Sequence, residues 1–258
     1  VALPTSFGIE IEVNQRTRAV DDLRDLSSKF ALAHIPWAVK LDGSCGRERG
    51  DKGVEVTSPI LTRTEDFDQI TQVVDFLERE GFTTNWRCGL HVHLGVQGTS
   101  SAARLRLIKF LVRYESAFFM LASDSRQSSV FCSKFHEEMI NDFKRGRDAQ
   151  SWQPRYHERR NPRYFWVNGT MSRFPTYEFR ILESILDARY IIGWTSLLLM
   201  AYDHIVRHEK DFRWGRAKAK SAYILICTML EQAGIYNKAI DANIRKLARQ
   251  WALEQFDG

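Results

Sequence analysis

Glu10 and Glu12 stand two residues apart in Phe7-Gly-Ile-Glu-Ile-Glu-Val13, and three other short segments repeat the arrangement. Glu55 sits between valines in Gly53-Val-Glu-Val56, His91 and His93 alternate with apolar residues in Gly89-Leu-His-Val-His-Leu94, and Glu178 and Arg180 do so in Tyr177-Glu-Phe-Arg-Ile181. In an extended chain, side chains i and i+2 share a face. Each segment therefore presents carboxylate, imidazole or guanidinium groups on one side and aliphatic or aromatic groups on the other. Together they predict a polynuclear metal and phosphate site on one face of a sheet.

The spacing bears on the chemistry. Two strand rises separate Glu10 from Glu12 by ~6.6 Å, so their flexible carboxylates can reach two metal ions ~3.5 to 4 Å apart. Oxygen-rich ligands favour Mg²⁺ or Mn²⁺, and an added imidazole is better tolerated by Mn²⁺. A nucleotide such as ATP would then supply further oxygens, and Arg180 would offer a planar guanidinium to a phosphoryl group. Taken singly, each segment has an ordinary explanation. Alternating glutamates are usual on the wet face of an antiparallel sheet, and a Glu178–Arg180 pair at the surface contributes little. The prediction rests on all four occurring in compatible phase.

The elements that must position these residues follow from periodicity. Val20, Leu23, Leu26 and Phe30 predict a helix over Thr17–Ala33, and an extended pattern resumes over Trp37–Leu41. A glycine- and charge-rich loop over 42–53 leads into the Glu55 strand. Thr62 with Glu65 forms a capping-box pattern before a helix through Phe67, Ile70, Val73, Val74 and Leu77, which Gly81 ends. Helices are predicted over Thr99–Ala122 and Val130–Phe143, strands over Tyr164–Asn168 and Thr176–Leu182, and helices over Asp187–Phe212, Ala217–Gly234 and Asn237–Phe256. Between them, Lys144–Arg163 is a basic loop. This order predicts an α+β fold with helices packed on one face of the sheet and a helical C-terminal tail. The division expected is a catalytic domain over 1–212 and a helical extension over 213–258.

At 258 residues with 44% hydrophobic and 27% charged residues, the chain has the composition of a globular protein with a sizeable core. Its net charge of +5 favours anionic ligands without identifying nucleic acid. The cysteines, Cys45, Cys88, Cys132 and Cys227, lack the spacing of a disulfide framework, which favours a reducing, cytoplasmic setting. The apolar run over Ile191–Tyr202 is shorter than the ~20 residues that span a bilayer, so no membrane partner is expected.

The ordered set of motifs resembles the carboxylate-amine ligase superfamily that includes glutamine synthetase and glutamate-cysteine ligase, and most closely its small amidoligase branch. The resemblance lies in the Glu10/Glu12 segment, Asp42-Gly-Ser44, Gly53-Val-Glu-Val-Thr-Ser-Pro59, Cys88-Gly-Leu-His-Val-His-Leu-Gly95, Val167-Asn168 and Thr176-Tyr-Glu-Phe-Arg180, and covers roughly Phe7 to Leu199. It implies a mainly antiparallel, curved sheet. It also implies that Glu10, His91 and Glu178 hold one Mg²⁺ or Mn²⁺ ion, that Glu12 and Glu55 hold a second with Asp42 or its rival Glu48, that His93 touches nucleotide phosphate, and that Arg180 stabilises the transferring γ-phosphoryl group. Arg126 and Arg160 are candidate phosphate or carboxylate contacts. The implied reaction is ATP-dependent: a substrate carboxylate becomes an acyl phosphate, and an amine displaces phosphate to form an amide or isopeptide bond. The partners are then ATP, a carboxylate and an amine, each amine or acid being a small molecule, peptide or protein. These 258 residues are fewer than those of glutamine synthetase and include no segment resembling its N-terminal domain, so that enzyme's ring-forming contacts are not expected.

Other readings remain open at this stage. A guanidino kinase-like phosphotransferase would use similar phosphate machinery without making an amide. A zinc hydrolase would need Cys88 to join His91 and His93, although a regular strand turns Cys88 away. A nucleic-acid-binding module would use the basic 144–163 segment with Trp152, Tyr156 and Tyr164 as stacking groups.

Overall fold

The computed structural model describes residues 2–15, 24–46, 53–145, 164–170, 175–207, 209 and 211–217, with 224, 246, 249, 250 and 254 beyond them. Its sheet consists of β1 (Ala2–Gln15), β2 (Ala38–Asp42), β3 (Gly53–Thr57), β4 (Leu61–Arg63), β5 (Phe82–Thr83), β6 (Gly89–Gly95), β7 (Val167–Thr170) and β8 (Thr176–Glu183). The strand order is β2-β3-β1-β6-β8-β7, antiparallel at each pairing, while β4 and β5 pair with other stretches of the long β1. The predicted α+β architecture is therefore present, with an open antiparallel sheet.

Alternation drives this arrangement. Phe7, Ile9, Ile11 and Val13 of β1 are buried, as are Val54 and Val56 of β3, Leu90, Val92 and Leu94 of β6, and Tyr177, Phe179 and Ile181 of β8. Each fully buried aliphatic or aromatic side chain contributes about 1.5–3 kcal/mol, so the apolar phase of four adjacent strands dictates which phase is left for the polar groups.

The helices are α1 (Arg24–Leu32), α2 (Phe67–Arg79), α3 (Ser101–Met120), α4 (Asp124–Gln127), α5 (Glu137–Lys144) and α6 (Ala188–Tyr202). α2 packs Phe67, Ile70, Val73, Val74 and Leu77 into the same core as the apolar strand residues, and Phe67 stacks on Phe7 at 5.3 Å. α6, apolar around its circumference, contacts β1, β6 and α2. Ser100 caps α3 by accepting the Ala103 amide at 3.2 Å, and Asp187 caps α6 through the Arg189 amide at 2.8 Å. No helix among the described residues is long and apolar enough to cross a membrane.

Several boundaries differ from the periodicity. The Val130–Phe143 helix is broken: a 3₁₀ turn covers Val130–Cys132 and α5 starts at Glu137. Ser133 instead exchanges backbone hydrogen bonds with Tyr164 and Trp166 at 2.7 and 3.0 Å, a non-local pairing that local propensity does not encode. The predicted Asp187–Phe212 helix stops at Tyr202 and passes through a π-helical turn over Asp203–Arg207. Phe212 then packs against Phe110 and Tyr114 of α3, with ring centroids at 5.3 and 5.7 Å. Before α2, the turn is held by Asp66, whose carboxylate accepts the Thr62 and Arg63 amides at 2.7 and 2.9 Å, in place of the predicted Thr62–Glu65 box. Gly81 ends the helical segment with φ of 77°, and its amide bonds Glu78 O at 3.0 Å. The segment 16–23, most of the predicted basic loop over 144–163 and most of the two predicted C-terminal helices lie outside the described residues.

Candidate active site

Registers bring the four segments together. Glu10 lies opposite His91, Glu12 opposite Glu55, and His93 opposite both Gly8 and Glu178. His91 Nδ1 is 3.0 Å from Glu10 Oε2 and 3.7 Å from Glu178 Oε1, and its Nε2 is 3.7 Å from Glu12 Oε1. His93 Nε2 is 3.3 Å from Glu10 Oε1. Two groups of ligand atoms result, each mutually within 4.8 Å: Glu10, His93 and Glu178 in one, Glu12, Asp42 and Glu55 in the other. His91 stands between them.

A bulge shapes the right-hand half. Leu90 pairs with Leu182 but Val92 pairs with Phe179, so β8 carries one extra residue opposite His91. Arg180 thereby stays on the polar face while Ile181 and Leu182 are both buried. Arg180 Nη1 pairs with Glu178 Oε1, and Asn168 of β7 donates from Nδ2 to Glu178 Oε2 at 3.3 Å. The left-hand half is set by the chain end of β2. Asp42 Oδ1 accepts the Ser44 amide and hydroxyl at 2.7 and 2.6 Å, and Cys45 then tucks its thiol against Val13, Asp42 and Val54 carbonyls. Gly53 faces this thiol so closely that a Cβ would lie 2.3 Å from Cys45 Sγ. Thr57 donates to Glu55 Oε1 at 3.1 Å, and the Gly89 amide donates to Glu12 Oε2 at 2.7 Å.

The two halves differ electrostatically. Burial alone would raise the Glu10 pKa, but hydrogen bonds and charge from His91 and His93 hold it far below the usual carboxylate range. Glu178 is likewise lowered, with Arg180 and both histidines outweighing burial. His93 is raised: its burial opposes protonation, but Glu10 and Glu178 favour it. Glu12 goes the other way. Burial raises its pKa beyond what His91, the Gly89 amide and Arg180 offset, and Asp42 adds to the rise. The Glu12–Asp42–Glu55 group thus sets three carboxylates against the single ammonium of Lys40, and its candidate ligand atoms are all hard oxygens, which suits Mg²⁺ or Mn²⁺. The buried Arg180 Nε has no hydrogen-bond partner among the described residues, which leaves a donor for a phosphate oxygen.

Of the remaining predicted contacts, Arg126 is buried beneath the bulge. Its guanidinium donates to the Arg180 and Ile181 carbonyls, and its Nη2 borders Gly89 beside His91. Glu48, Arg160, Trp152 and Tyr156 lie outside the described residues. Cys88 faces away from the histidines, with Sγ 3.5 Å from both Asn14 Nδ2 and Asn85 Oδ1. Sequence reasoning passed over Lys40, and gave no role to Thr176 and Asn168 although both stand in the motifs. Lys40 Nζ pairs with Glu55 Oε1 at 2.6 Å, Thr176 Oγ1 lies 3.1 Å from His93 Nδ1, and Asn168 holds Glu178. Their signal is the same phase rule: Lys40 is two residues from Asp42, and Thr176 is two residues from Glu178.

The sequence model of a family described as "Putative amidoligase enzyme" matches residues 3–201. No curated protein matches the chain. Among solved structures, the chain is similar to the crystal structure of the complex between the prokaryotic ubiquitin-like protein Pup and its ligase PafA, with 9% identity and a TM-score of 0.47. That similarity covers 98% of this chain but only 63% of the solved one. The family match spans all four motif segments and the strands that carry them, and by that match the chain belongs to the amidoligase family of ligase enzymes.

Proposed function

We propose that the chain joins a substrate carboxylate to an amine, in an amide or isopeptide bond, by an ATP-dependent reaction through an acyl phosphate. The observation that carries this reading is the pair of ligand groups side by side on one sheet face, with Arg180 at the edge of one of them. Glu10 and Glu178, with an imidazole, would hold one Mg²⁺ or Mn²⁺ ion, and Glu12, Glu55 and Asp42 the other. His91 is the imidazole expected from the resemblance; His93 is the one whose ligand atom falls within the same 4.8 Å group. Bound ATP and divalent ions supply the electrophilic γ-phosphorus and offset charge on the phosphoryl oxygens.

The side chains have separate tasks. Arg180 donates to the transferring phosphoryl group, and Arg126 holds the β8 backbone that aims it. His93, whose ring reaches Glu10 and Thr176, would be a donor for nucleotide phosphate when His91 is the imidazole on the ion. Glu55, buried and held by Thr57, contributes negative charge beside the reacting phosphate through the ion it would hold. In the first step a carboxylate oxygen attacks the γ-phosphorus and ADP leaves. In the second a neutral amine attacks the acyl carbon, the acyl–oxygen bond breaks, and the proton lost by the amine ends on the departing inorganic phosphate. Residues 1–212 serve as the catalytic domain. Arg216, just beyond it, pairs with Glu115 and Glu137 at 2.9 and 2.6 Å.

The test is incubation with ATP, Mg²⁺ and a metabolite and peptide extract, followed by mass spectrometry. The expected result is a product weighing one acid plus one amine less water, formed with ADP and phosphate and absent with Glu178→Gln. A stable phosphorylated product would point to the phosphotransferase instead, and no ATP consumption with either Mg²⁺ or Mn²⁺ would contradict both.

A further inference from the structure

Lys40 belongs to none of the motifs that define the site, yet its ammonium reaches the most deeply buried of the site carboxylates. It stands directly opposite Glu55 in the β2–β3 register, and Nζ lies 2.6 Å from Glu55 Oε1. Glu10 and Asp42 also act on it electrostatically, so it faces carboxylates from β1, β2 and β3. The pair is asymmetric: the Glu55 side chain is 3% exposed and that of Lys40 59%. Among the described residues β2 is the edge strand and the Lys40 side chain is largely exposed, so the lysine stem can swing into solvent while Glu55 stays.

We infer that Lys40 is a tethered cation that holds the Glu12–Asp42–Glu55 group until a divalent ion displaces it, and so sets the metal affinity of that half of the site. This rests on the two-ion reading given above. The physical basis is competition for the same oxygens. A buried carboxylate needs a cation, and the ammonium supplies a single charge on a flexible stem. A divalent ion draws on all three carboxylates and displaces it. The Glu10–His93–Glu178 group has its own fixed counter-charges and no such mobile cation among the described residues. The two halves should therefore fill at different ion concentrations. Lys40 is a positioning residue in this scheme, acting on the ion through Glu55.

The experiment is Mn²⁺ titration of the whole chain without nucleotide, reading free Mn²⁺ by electron paramagnetic resonance. Lys40→Met removes the charge and keeps the stem, Lys40→Gln does so with a shorter one, and Lys40→Arg keeps the charge. Lys29→Met, whose lysine pairs with Glu80 and Asp25 on the helical side, lowers net charge equally at a distance. The weaker class of Mn²⁺ sites should tighten by roughly 2- to 10-fold in Lys40→Met and Lys40→Gln, and stay at the parental value in Lys40→Arg and Lys29→Met. Thermal melts in chelator verify that the variants fold. Two classes of site with the weaker unchanged or weakened in Lys40→Met would overturn the role of Lys40 and leave the two-ion reading standing. Absence of Mn²⁺ binding in parent and variants alike would overturn both.

Discussion

Glu10→Gln and Glu12→Gln are the same substitution two residues apart, yet their effects on the metal-free protein should have opposite signs. Glu10 contacts both imidazoles, at 3.0 and 3.3 Å. A hydrogen bond to a charged group contributes about 1.5–3 kcal/mol, and the amide retains one acceptor oxygen, so Glu10→Gln should cost about 2 kcal/mol. In a domain of this size that lowers the melting temperature by roughly 4–8 °C. Glu12 keeps its Gly89 contact as an amide and loses a charge that burial disfavours, so Glu12→Gln should melt at or above the parent. The signs follow from linkage. The folded Glu10 pKa lies below the unfolded value, so its contribution is full above pH 4.5 and lost as pH falls toward the folded value. Glu12 lies above, so folded protein binds more protons and stability declines as pH climbs from 4.5 through the folded value. The assay is thermal unfolding near neutral pH, first in chelator and then in Mn²⁺. At one hundred times the dissociation constant, an ion stabilises the parent by about 2.7 kcal/mol, and both variants should lose much of that gain. If Glu12→Gln falls as far as Glu10→Gln in chelator, the assignment of unequal charge balance to the two halves is wrong.

Gly53→Ala places a Cβ 2.7 Å from the Val13 carbonyl as well as against Cys45 Sγ, and should destabilise by about 1–3 kcal/mol, read from denaturant midpoints. Glu115→Ala leaves the Trp166 indole N–H and the Phe135 amide without the carboxylate that joins them at 3.0 and 2.7 Å, and removes one of the two carboxylates paired with Arg216. A loss of about 3–5 kcal/mol is expected, with Glu115→Gln losing less. In chelated protein, the stabilisation due to His93 should be full below pH 6.5 and lost as pH rises through its raised folded value. The melting difference between parent and His93→Gln should therefore shrink from mildly acid to mildly alkaline pH.

The polar face was legible because one rule, alternation, fixes it on every strand. Ile9, Ile11, Val92 and Phe179 leave Glu10, Glu12, His91, His93 and Glu178 only one side to occupy. The bulge at Arg180 was not legible, since alternation through Leu182 would put a leucine on the polar face; that apolar residue in the wrong phase is its trace. Lys40 was passed over because a lone lysine on a strand ordinarily marks a solvated face, and only pairing with Glu55 gives it meaning. The break after Cys132 and the end of α6 depend on bonds and ring contacts to residues far away in the chain, which periodicity cannot carry. Asp66 replaced Thr62 at the turn before α2 because its carboxylate reaches two amides at once.

The central claim, that two divalent ions and the phosphates of ATP meet on this face, is tested most directly by crystallising the chain with Mn²⁺ and a non-hydrolysable ATP analogue and recording anomalous scattering at the manganese edge. Two peaks are expected, one bounded by Glu10 and Glu178 and the other by Glu12, Asp42 and Glu55, with the terminal phosphate against Arg180. A single peak, or a nucleotide bound away from the β1–β6–β8 face, would contradict it.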